Sequence, residues 1–316
     1  MSSAEPTTDR SELAQAQATW DAIDIDRVRD VAWTAIPYFM ERNLARLGGP
    51  DPHTRVRTLL AERVPAERHH ALVGGVLLCG DMRGEAPLFR SADDLSFDHV
   101  DGFDLSPTSL ERVDASGIPF EGHVADCNTL ELEEDRYDLL IGHHGIHHVM
   151  ELGHLFAQAH KGLRSTGLLA MDEWIGPPFL QLPRRNAFFT RLLLFALYPK
   201  PRSRTNHMGQ RKGVWLAPPP EAFDPSEACN SDALLPEYHR HFEPVAEVRY
   251  GGLTYPVFEG IAHTIDMGRW TNKLRVRIVY LAERVLTAVG LVKPLFVSSI
   301  GRPRRDAATP GEGAAS

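Results

Sequence analysis

The sequence predicts an α/β protein in which a mostly parallel sheet lies between layers of helices. The stretch Val76 to Glu85, VLLCGDMRGE, has the pattern of a buried strand that runs into a glycine turn and a helix start. Strand and helix patterns then alternate as far as Trp174, which favours right-handed crossovers and parallel strands. Polar residues follow the strands, so they are expected on the carboxyl-end rim where such sheets bind ligands.

Composition and charge narrow the classes of protein. The chain has 316 residues, 43% of them hydrophobic, which suits one α/β domain with additional segments. A net charge of -8 argues against a nucleic-acid or acidic-membrane partner. Three cysteines without a CxxC spacing indicate a reducing, cytoplasmic compartment. We expect neither a secretion signal nor a membrane span, because the longest apolar run, Leu192 to Tyr198, is far below the roughly 20 residues that a span needs.

The chain divides into a core with flanking segments. We expect loose tails at 1–10 and 301–316, an N-terminal helical cap at 11–66, a core at 67–174, a helical insertion or lid at 175–242, and the last strands with a C-terminal helix at 243–300. In the cap, helical spacing covers Asp24 to Leu47, with a kink or break at Pro37, and a shorter helix covers Thr54 to Val64. These helices either pack only, or bring Tyr38 and Arg42 to a ligand.

Acidic residues stand where the second and third strands end. Phe97 to Phe103 is a strand pattern that stops at Asp104, and Ser106 and Pro107 are typical of a helix N-cap and first helical residue. Asp104 lies 20 positions beyond Gly84, near the interval at which an acidic residue binds ribose hydroxyls in nucleoside-binding sheets. The third strand, Gly122 to Ala125, leads into Asp126, Cys127 and Asn128, whose polar groups are candidates to contact an adenine edge.

Histidines follow the fourth strand. Tyr137 to Ile141 leads into His143, His144, His147 and His148, then a helix covers Glu151 to Leu163 and a fifth strand, Gly167 to Met171, delivers Asp172, Glu173 and Trp174. Spacings of three and four would suit a metal, but residues on a loop before a helix cannot all converge, and we expect no metal here. Either His144 or His147 acts as general base on an acceptor hydroxyl, or these histidines pack and bond to backbone.

From about Ala71 to Trp174, the chain resembles the class I S-adenosylmethionine-dependent methyltransferases. VLLCGDMRGE occupies the glycine-loop slot, Asp104 the ribose-binding acidic slot and ADCN (125–128) the adenine-contacting slot, while YDLLIGHHGIHHV and HKGLRSTGLLAM are similar to the family's fourth strand, helix and fifth strand. The resemblance implies a Rossmann-like, seven-stranded, mostly parallel sheet with a final antiparallel strand, and S-adenosylmethionine as co-substrate without a metal. We place the last two strands near Val245 to Tyr250 and Tyr255 to Ile261, before a helix from Trp270 to Val289.

The resemblance also implies the cofactor contacts. These are Cys79, Gly80, Asp81, Met82, Asp104, Leu105, Asp126, Cys127, Asn128 and His143. The chain departs from the family where Met82 takes the middle glycine slot and Leu78 the acidic slot before the loop. We expect the methionine to narrow the space for the cofactor's tail and to reshape the loop.

The insertion after the fifth strand is strongly basic. Residues 175–220 carry eight basic and no acidic side chains, and Phe188 to Phe195 has the pattern of a helix. An arginine such as Arg184 is suited to hold a carboxylate or phosphate of a small-molecule acceptor or the cofactor's carboxylate; alternatively the charges face solvent, pair with the acidic stretch Glu221 to Glu237, or support a homodimer. The candidate substrate contacts are Tyr38, Arg42, Glu173, Trp174 and Arg184.

Three functions remain open from the sequence. The first is methyl transfer to oxygen or nitrogen of a small molecule, in specialised-metabolite, for instance antibiotic, or cell-surface biosynthesis. The second is transfer of the cofactor's 3-amino-3-carboxypropyl arm. The third is a catalytically silent scaffold that keeps the fold without the cofactor.

Overall fold

The computed structural model describes residues 32–49, 51–90, 94–205, 211–213 and 226–304. The strands are β1 (Leu72–Leu77), β2 (Phe97–Asp104), β3 (Phe120–Val124), β4 (Tyr137–His143), β5 (Leu163–Trp174), β6 (Phe242–Tyr250) and β7 (Phe296–Pro303). The α-helices within these ranges are α1 (Pro37–Leu47), α2 (Pro52–Arg63), α3 (Ala86–Phe89), α4 (Pro107–Glu111), α5 (Leu152–Gly162), α6 (Arg184–Leu197), α7 (Ser231–His241), α8 (Thr254–Phe258) and α9 (Trp270–Ala288). No helix in the described ranges has both the length and the apolar character that a bilayer crossing requires.

The seven strands form one sheet in the order β3-β2-β1-β4-β5-β7-β6. The pairs β1–β2, β1–β4, β2–β3 and β4–β5 are all parallel. The chain moves outward from β1 through β2 to β3 and then returns to β4, so the order reverses beside β1, and ligands bind α/β sheets at such a reversal. The predicted Rossmann-like, seven-stranded, mostly parallel fold with flanking helices is confirmed.

One predicted strand is wrong. The segment Tyr255 to Ile261 is not a strand, because α8 covers Thr254–Phe258, and the last strand is β7, which enters the sheet between β5 and β6. Tyr255, Val257 and Phe258 are β-forming residue types, but they lie in α8, where Val257 and Phe258 are buried and Tyr255 is half-buried. The strand predicted near Val245 to Tyr250 lies within β6.

The N-terminal cap is helical where it is described. The chain enters α1 at Pro37, which occupies the first helical position after a short 3-10 turn at Trp33–Ala35, so proline begins this helix rather than kinking a longer one. The predicted helical residues 24–31, the tail 1–10 and the tail residues 305–316 lie outside the described residues. The predicted domain bounds stay a prediction.

Contacts divide the chain into two compact units. The first contains Met1–Pro52, Glu173–Asp232 and Val248–Val297, and the second contains His53–Asp172, Ala233–Glu247 and Ser298–Ser316. We call them the insertion unit and the sheet unit. The core of the sheet unit includes the fully buried residues Leu72, Phe89, Val100, Leu139 and Leu168.

The insertion unit has an aromatic core around one buried acid. Trp33 packs against Phe39, Tyr250 and Phe296. Glu283 of α9 is 3% exposed, and its carboxylate accepts hydrogen bonds from the backbone of residues 251, 253 and 254 and from the hydroxyl of residue 254. A buried charge is tolerated because these donors replace water.

Candidate functional site

The glycine loop and the end of β2 are joined by one carboxylate. The N–H of Gly80 donates to Oδ2 of Asp104 at 2.9 Å, and the N–H of Ser106 donates to Oδ1 at 2.8 Å. Ser106 in turn caps α4, since its hydroxyl accepts from the N–H of Ser109, and Pro107 follows as predicted. Asp104 is half-buried, so it lies on the rim of the sheet and is shared by two loops.

Gly80 has the backbone conformation that the loop requires. Its φ is +51°, in the left-handed region, and a Cβ built on it would meet no atom within 4 Å. The space beside Gly80 is therefore open, and a ligand is able to approach its backbone. The neighbouring Cys79 is buried, and burial raises the pKa of its thiol, which keeps it neutral.

Met82 keeps the shape of the glycine that it replaces. Its φ is +52°, a conformation that costs a non-glycine residue about 1–2 kcal/mol. Its side chain is 1% exposed and belongs to the apolar core of the sheet unit, together with Val76 and Leu88. The expectation that this side chain narrows the cofactor's space is wrong, because the side chain is packed inside. The predicted contact of Met82 with the cofactor would therefore be made by its backbone atoms.

The acidic side chains of the loop have partners. Asp81 is buried and forms an ion pair with Arg83, at 3.0 Å between Oδ2 and Nε. Oε1 of the Glu85 carboxylate accepts a hydrogen bond from Nδ1 of His143, at 2.9 Å. Burial alone would raise the pKa of the Glu85 carboxyl, but the hydrogen bond and charge of His143 outweigh it, so this pKa is lowered. The pair ties the loop after β1 to the end of β4.

Sequence reasoning gave Glu85 no role. His143, predicted as a cofactor contact, ends β4 and is held by this acid. The partners are 58 positions apart, so neither spacing nor a local motif indicates the pair. The only signal in the sequence was that Glu85 follows the glycine turn at the edge where the fourth strand also ends.

The loop after β3 is held near Asp104. The N–H of Ala125 donates to the carbonyl of Asp104 at 2.9 Å, which brings Asp126 to the same rim. Oδ1 of Asp126 accepts from the backbone N–H and the amide of Asn128. Among the described residues Oδ2 of Asp126 has no hydrogen bond, so this oxygen remains a candidate acceptor for a ligand.

Asn128 and Cys127 have structural positions in this loop. Oδ1 of Asn128 accepts from the N–H groups of Met150 and Glu151, so both ends of its amide bond inside the protein. These bonds fasten the loop to the start of α5, and the contact of this residue with an adenine edge stays a prediction. Cys127 is buried, and burial raises the pKa of its thiol to about 12. Leu105 is half-buried between Asp104 and Ser106.

The two candidate bases differ in exposure. His144 has a φ of +54°, its side chain is 51% exposed, and its Nε2 lies 3.9 Å from Oδ1 of Asp172. The backbone N–H of His144 also donates to the carbonyl of Asp172 at 2.9 Å. His147 is 8% exposed and packs against the ring of His148, with 4.4 Å between ring centroids. His144 is thus the candidate that solvent reaches.

The predicted substrate residues all lie in the insertion unit. Arg42 stacks over Tyr38 at 5.4 Å from its ring centroid, and both line a groove of about 530 Å³ between α1 and α9. Arg184 is exposed at the start of α6. Glu173 and Trp174 are at most 1% exposed. The indole N–H of Trp174 donates to the carbonyl of Pro177 and its ring packs against Tyr255 and Phe296, so its role as a substrate contact stays a prediction.

Comparisons with known proteins give one family match. None of the curated proteins matches the chain significantly. Among solved structures, the chain is similar to an S-adenosylmethionine dependent methyltransferase from Mesorhizobium loti, at 18% identity over 78% of this chain and 96% of that chain, with a TM-score of 0.40. It is also similar to geranyl diphosphate C-methyltransferase from Streptomyces coelicolor, at 14% identity over 95% of this chain and 100% of that chain, with a TM-score of 0.46.

The family model described as a methyltransferase domain matches residues 78–171. That range begins beside the glycine loop, includes Asp104, Asp126 and the histidines, and ends in β5. The strand order and the loop joined to Asp104 agree with the match. Residues 78–171 therefore form a methyltransferase domain.

Proposed function

We propose that the protein transfers a methyl group from S-adenosylmethionine to oxygen or nitrogen of a small-molecule acceptor. The observation that carries the proposal is the bond between Gly80 and Asp104, because it holds an open backbone turn and a rim carboxylate side by side. A nucleoside needs both features: backbone at close range, and an acceptor for ribose hydroxyls.

The rim of the sheet unit fits an adenosyl group. The space beside Gly80 leaves room for a ligand, and the Met82 side chain is turned into the core. Asp104 is suited to accept from ribose hydroxyls, while Oδ2 of Asp126 is suited to accept from an exocyclic amine. The neutral, buried thiol of Cys127 adds an apolar contact. These assignments rest on placement and on the chemistry of each group.

S-adenosylmethionine supplies an activated methyl group on its sulfonium when it is bound. The protein then has to orient an acceptor and exclude water, with proton removal as a secondary aid. His144 is suited to take that proton, since its imidazole is 51% exposed and its Nε2 lies 3.9 Å from Oδ1 of Asp172, which is placed to orient the ring. The acceptor is proposed to be a small molecule of specialised metabolism that carries an anionic group.

Calorimetry and product mass test the proposal. S-adenosylhomocysteine is titrated into the wild-type protein, and saturable binding with one site is expected. Purified protein is then incubated with labelled cofactor and a metabolite extract. A labelled product heavier by about 14 mass units supports methylation, whereas a gain of about 101 units would replace it by transfer of the aminocarboxypropyl arm. A folded protein that gives no heat with S-adenosylhomocysteine would overturn the proposal in favour of a scaffold.

A further inference from the structure

Two histidines and two acids meet on one face of the outer strands. His99 and Asp101 lie two residues apart on β2, and Glu121 and His123 lie two residues apart on β3. Asp101 is directly opposite Glu121 in the parallel register, and Phe103 is opposite His123. Alternate residues of a strand share a face, so the four side chains occur on the same side of the sheet. We call these four residues the edge cluster.

Both imidazoles converge on one carboxylate oxygen. Nε2 of His99 and Nε2 of His123 each lie 2.8 Å from Oδ1 of Asp101. Oε2 of Glu121 lies 3.7 Å from Nε2 of His99. Ligand atoms of His99, Asp101 and Glu121 are all within 4.8 Å of one another. Asp101 is buried, whereas the side chains of His99 and His123 are 30% and 37% exposed, so an ion has access from solvent.

The other carboxylate oxygen of Asp101, Oδ2, is hydrogen-bonded to two neighbouring side chains. Oδ2 accepts a hydrogen bond from the hydroxyl of Tyr137 at 2.8 Å and one from Nε of Arg136 at 3.1 Å. Phe103 stacks on the ring of His123, with 5.2 Å between ring centroids. Metal sites are built in this way, with outer groups that fix the orientation of each ligand.

We propose that His99, Asp101, Glu121 and His123 bind a zinc ion that fastens the edge strand β3 to β2. Two imidazole nitrogens with carboxylate oxygens are a ligand set that zinc accepts. Zinc–ligand bonds of about 2.0–2.2 Å place tetrahedral ligand atoms about 3.3 Å apart, so the contacts at Asp101 would open by only about 0.5 Å. Asp101 and Glu121 supply negative charge for a divalent ion, and the Arg136 guanidinium, 3.1 Å from Oδ2 of Asp101, offsets part of it.

The test uses full-length, tag-free protein freed of metal with a chelator. Zinc chloride is titrated by competition against a chromogenic chelator, and thermal unfolding is followed with and without zinc. We expect one zinc ion to bind at the edge cluster and to raise Tm by several degrees. His123→Gln and His99→Gln are each expected to lower the affinity of this site at least about tenfold and to remove the rise in Tm.

Controls separate this cluster from other histidines. His70→Gln removes an exposed imidazole outside the cluster, and His144→Gln removes one from the loop after β4; both are expected to retain the rise in Tm. Glu121→Gln changes an exposed side chain and should leave the metal-free fold intact while it weakens binding. If a variant fails to fold, cobalt binding to the wild-type protein remains decisive: a saturable tetrahedral visible spectrum supports the site. The spectrum is assigned to the edge cluster only if it weakens in Glu121→Gln and persists in His148→Gln, because His147, His148 and Glu227 form a second group of possible ligands. Absence of the spectrum, its loss in His148→Gln alone, or zinc binding unchanged in both histidine variants of the edge cluster overturns the proposal.

Discussion

Asp104 accepts the backbone N–H of Gly80 at 2.9 Å and that of Ser106 at 2.8 Å, so a single side chain sets the relative position of two loops. Asp104→Asn leaves one acceptor oxygen in place of two, and one N–H then faces an amide donor. We expect the free energy of unfolding to fall by about 1–3 kcal/mol and the affinity for S-adenosylhomocysteine to fall at least about tenfold, measured by urea unfolding and calorimetry.

Asp114→Asn is the control for that change. Asp114 also accepts the N–H of the residue two positions on, Ser116, but its side chain is 67% exposed. We expect unchanged S-adenosylhomocysteine affinity in this variant. Equal losses of affinity in both variants would contradict a specific role for Asp104.

Gly80→Ala tests whether the open space beside the loop is used. The methyl group meets no atom within 4 Å, but the φ of +51° imposes strain on it. We expect a loss of about 1–2 kcal/mol of stability by urea unfolding, and a larger loss of cofactor affinity by calorimetry. Gly84→Ala is a matched control, since its Cβ also meets no atom within 4 Å and its φ is not in the left-handed region. An unchanged affinity of Gly80→Ala for the cofactor would show that the loop is not part of the binding site.

Met82→Gly separates backbone strain from core packing. Glycine relieves the left-handed strain of about 1–2 kcal/mol, whereas deletion of a buried methionine side chain costs about 2–5 kcal/mol. The expected result of urea unfolding is therefore a net loss of stability, smaller than that of Met82→Ala, which keeps the strain and loses the packing. A variant more stable than the wild type would show that the side chain does not pack in the core.

Glu85→Gln probes the pair with His143 by its pH dependence. The pKa of the Glu85 carboxyl is lowered from its ordinary value of 4.5, so its contribution to stability is present above that pH and is lost as the pH falls below it. We expect the difference in unfolding free energy between wild type and Glu85→Gln to be largest near neutral pH and to shrink in acid. Glu62→Gln, on the exposed side of α2, controls for the loss of one charge. A difference that grows on acidification would contradict the lowered pKa.

His144→Asn tests the proposed proton acceptor once an acceptor substrate is available. We expect kcat to fall about 10²–10⁴-fold, because the imidazole no longer takes the proton. Calorimetry should give an unchanged affinity for S-adenosylhomocysteine. His148→Asn is the neighbouring control, and an unchanged kcat in His144→Asn would exclude this role.

The first half of the fold was predictable because its signals are local. Asp104, Ser106 and Pro107 mark a strand end, an N-cap and a first helical turn within four residues, and the structure has all three. The last strand was not predicted, although FVSSI at 296–300 contains the β-forming residues Phe296, Val297 and Ile300, which suit β7. The segment Tyr255 to Ile261 competed for that position, since its aromatic and branched residues suit either a strand or a buried helix.

The sequence predicted those parts of the site that depend on backbone conformation. It did not predict the hydrogen bonds between side chains that are far apart in the chain. Gly80 adopts a left-handed conformation, which a glycine at the end of a strand pattern predicts. Met82 adopts the same region without being glycine, so its conformation is set by the packing of its side chain rather than by its own preference. The contacts of Glu85 with His143, and of Asn128 with Met150, join positions far apart in sequence, and neither residue spacing nor a local motif identifies these pairs.

The four donors around Asp101 have a consequence for how the outermost strand aligns during folding. A shift of β3 by one position would turn His123 to the opposite side of the sheet and leave the buried oxygen that it now contacts without that donor. Misaligned pairings of β3 with β2 are thereby less stable than the observed register. Asp101 thus helps to fix the register of β3, an edge strand that has a neighbour on one side only.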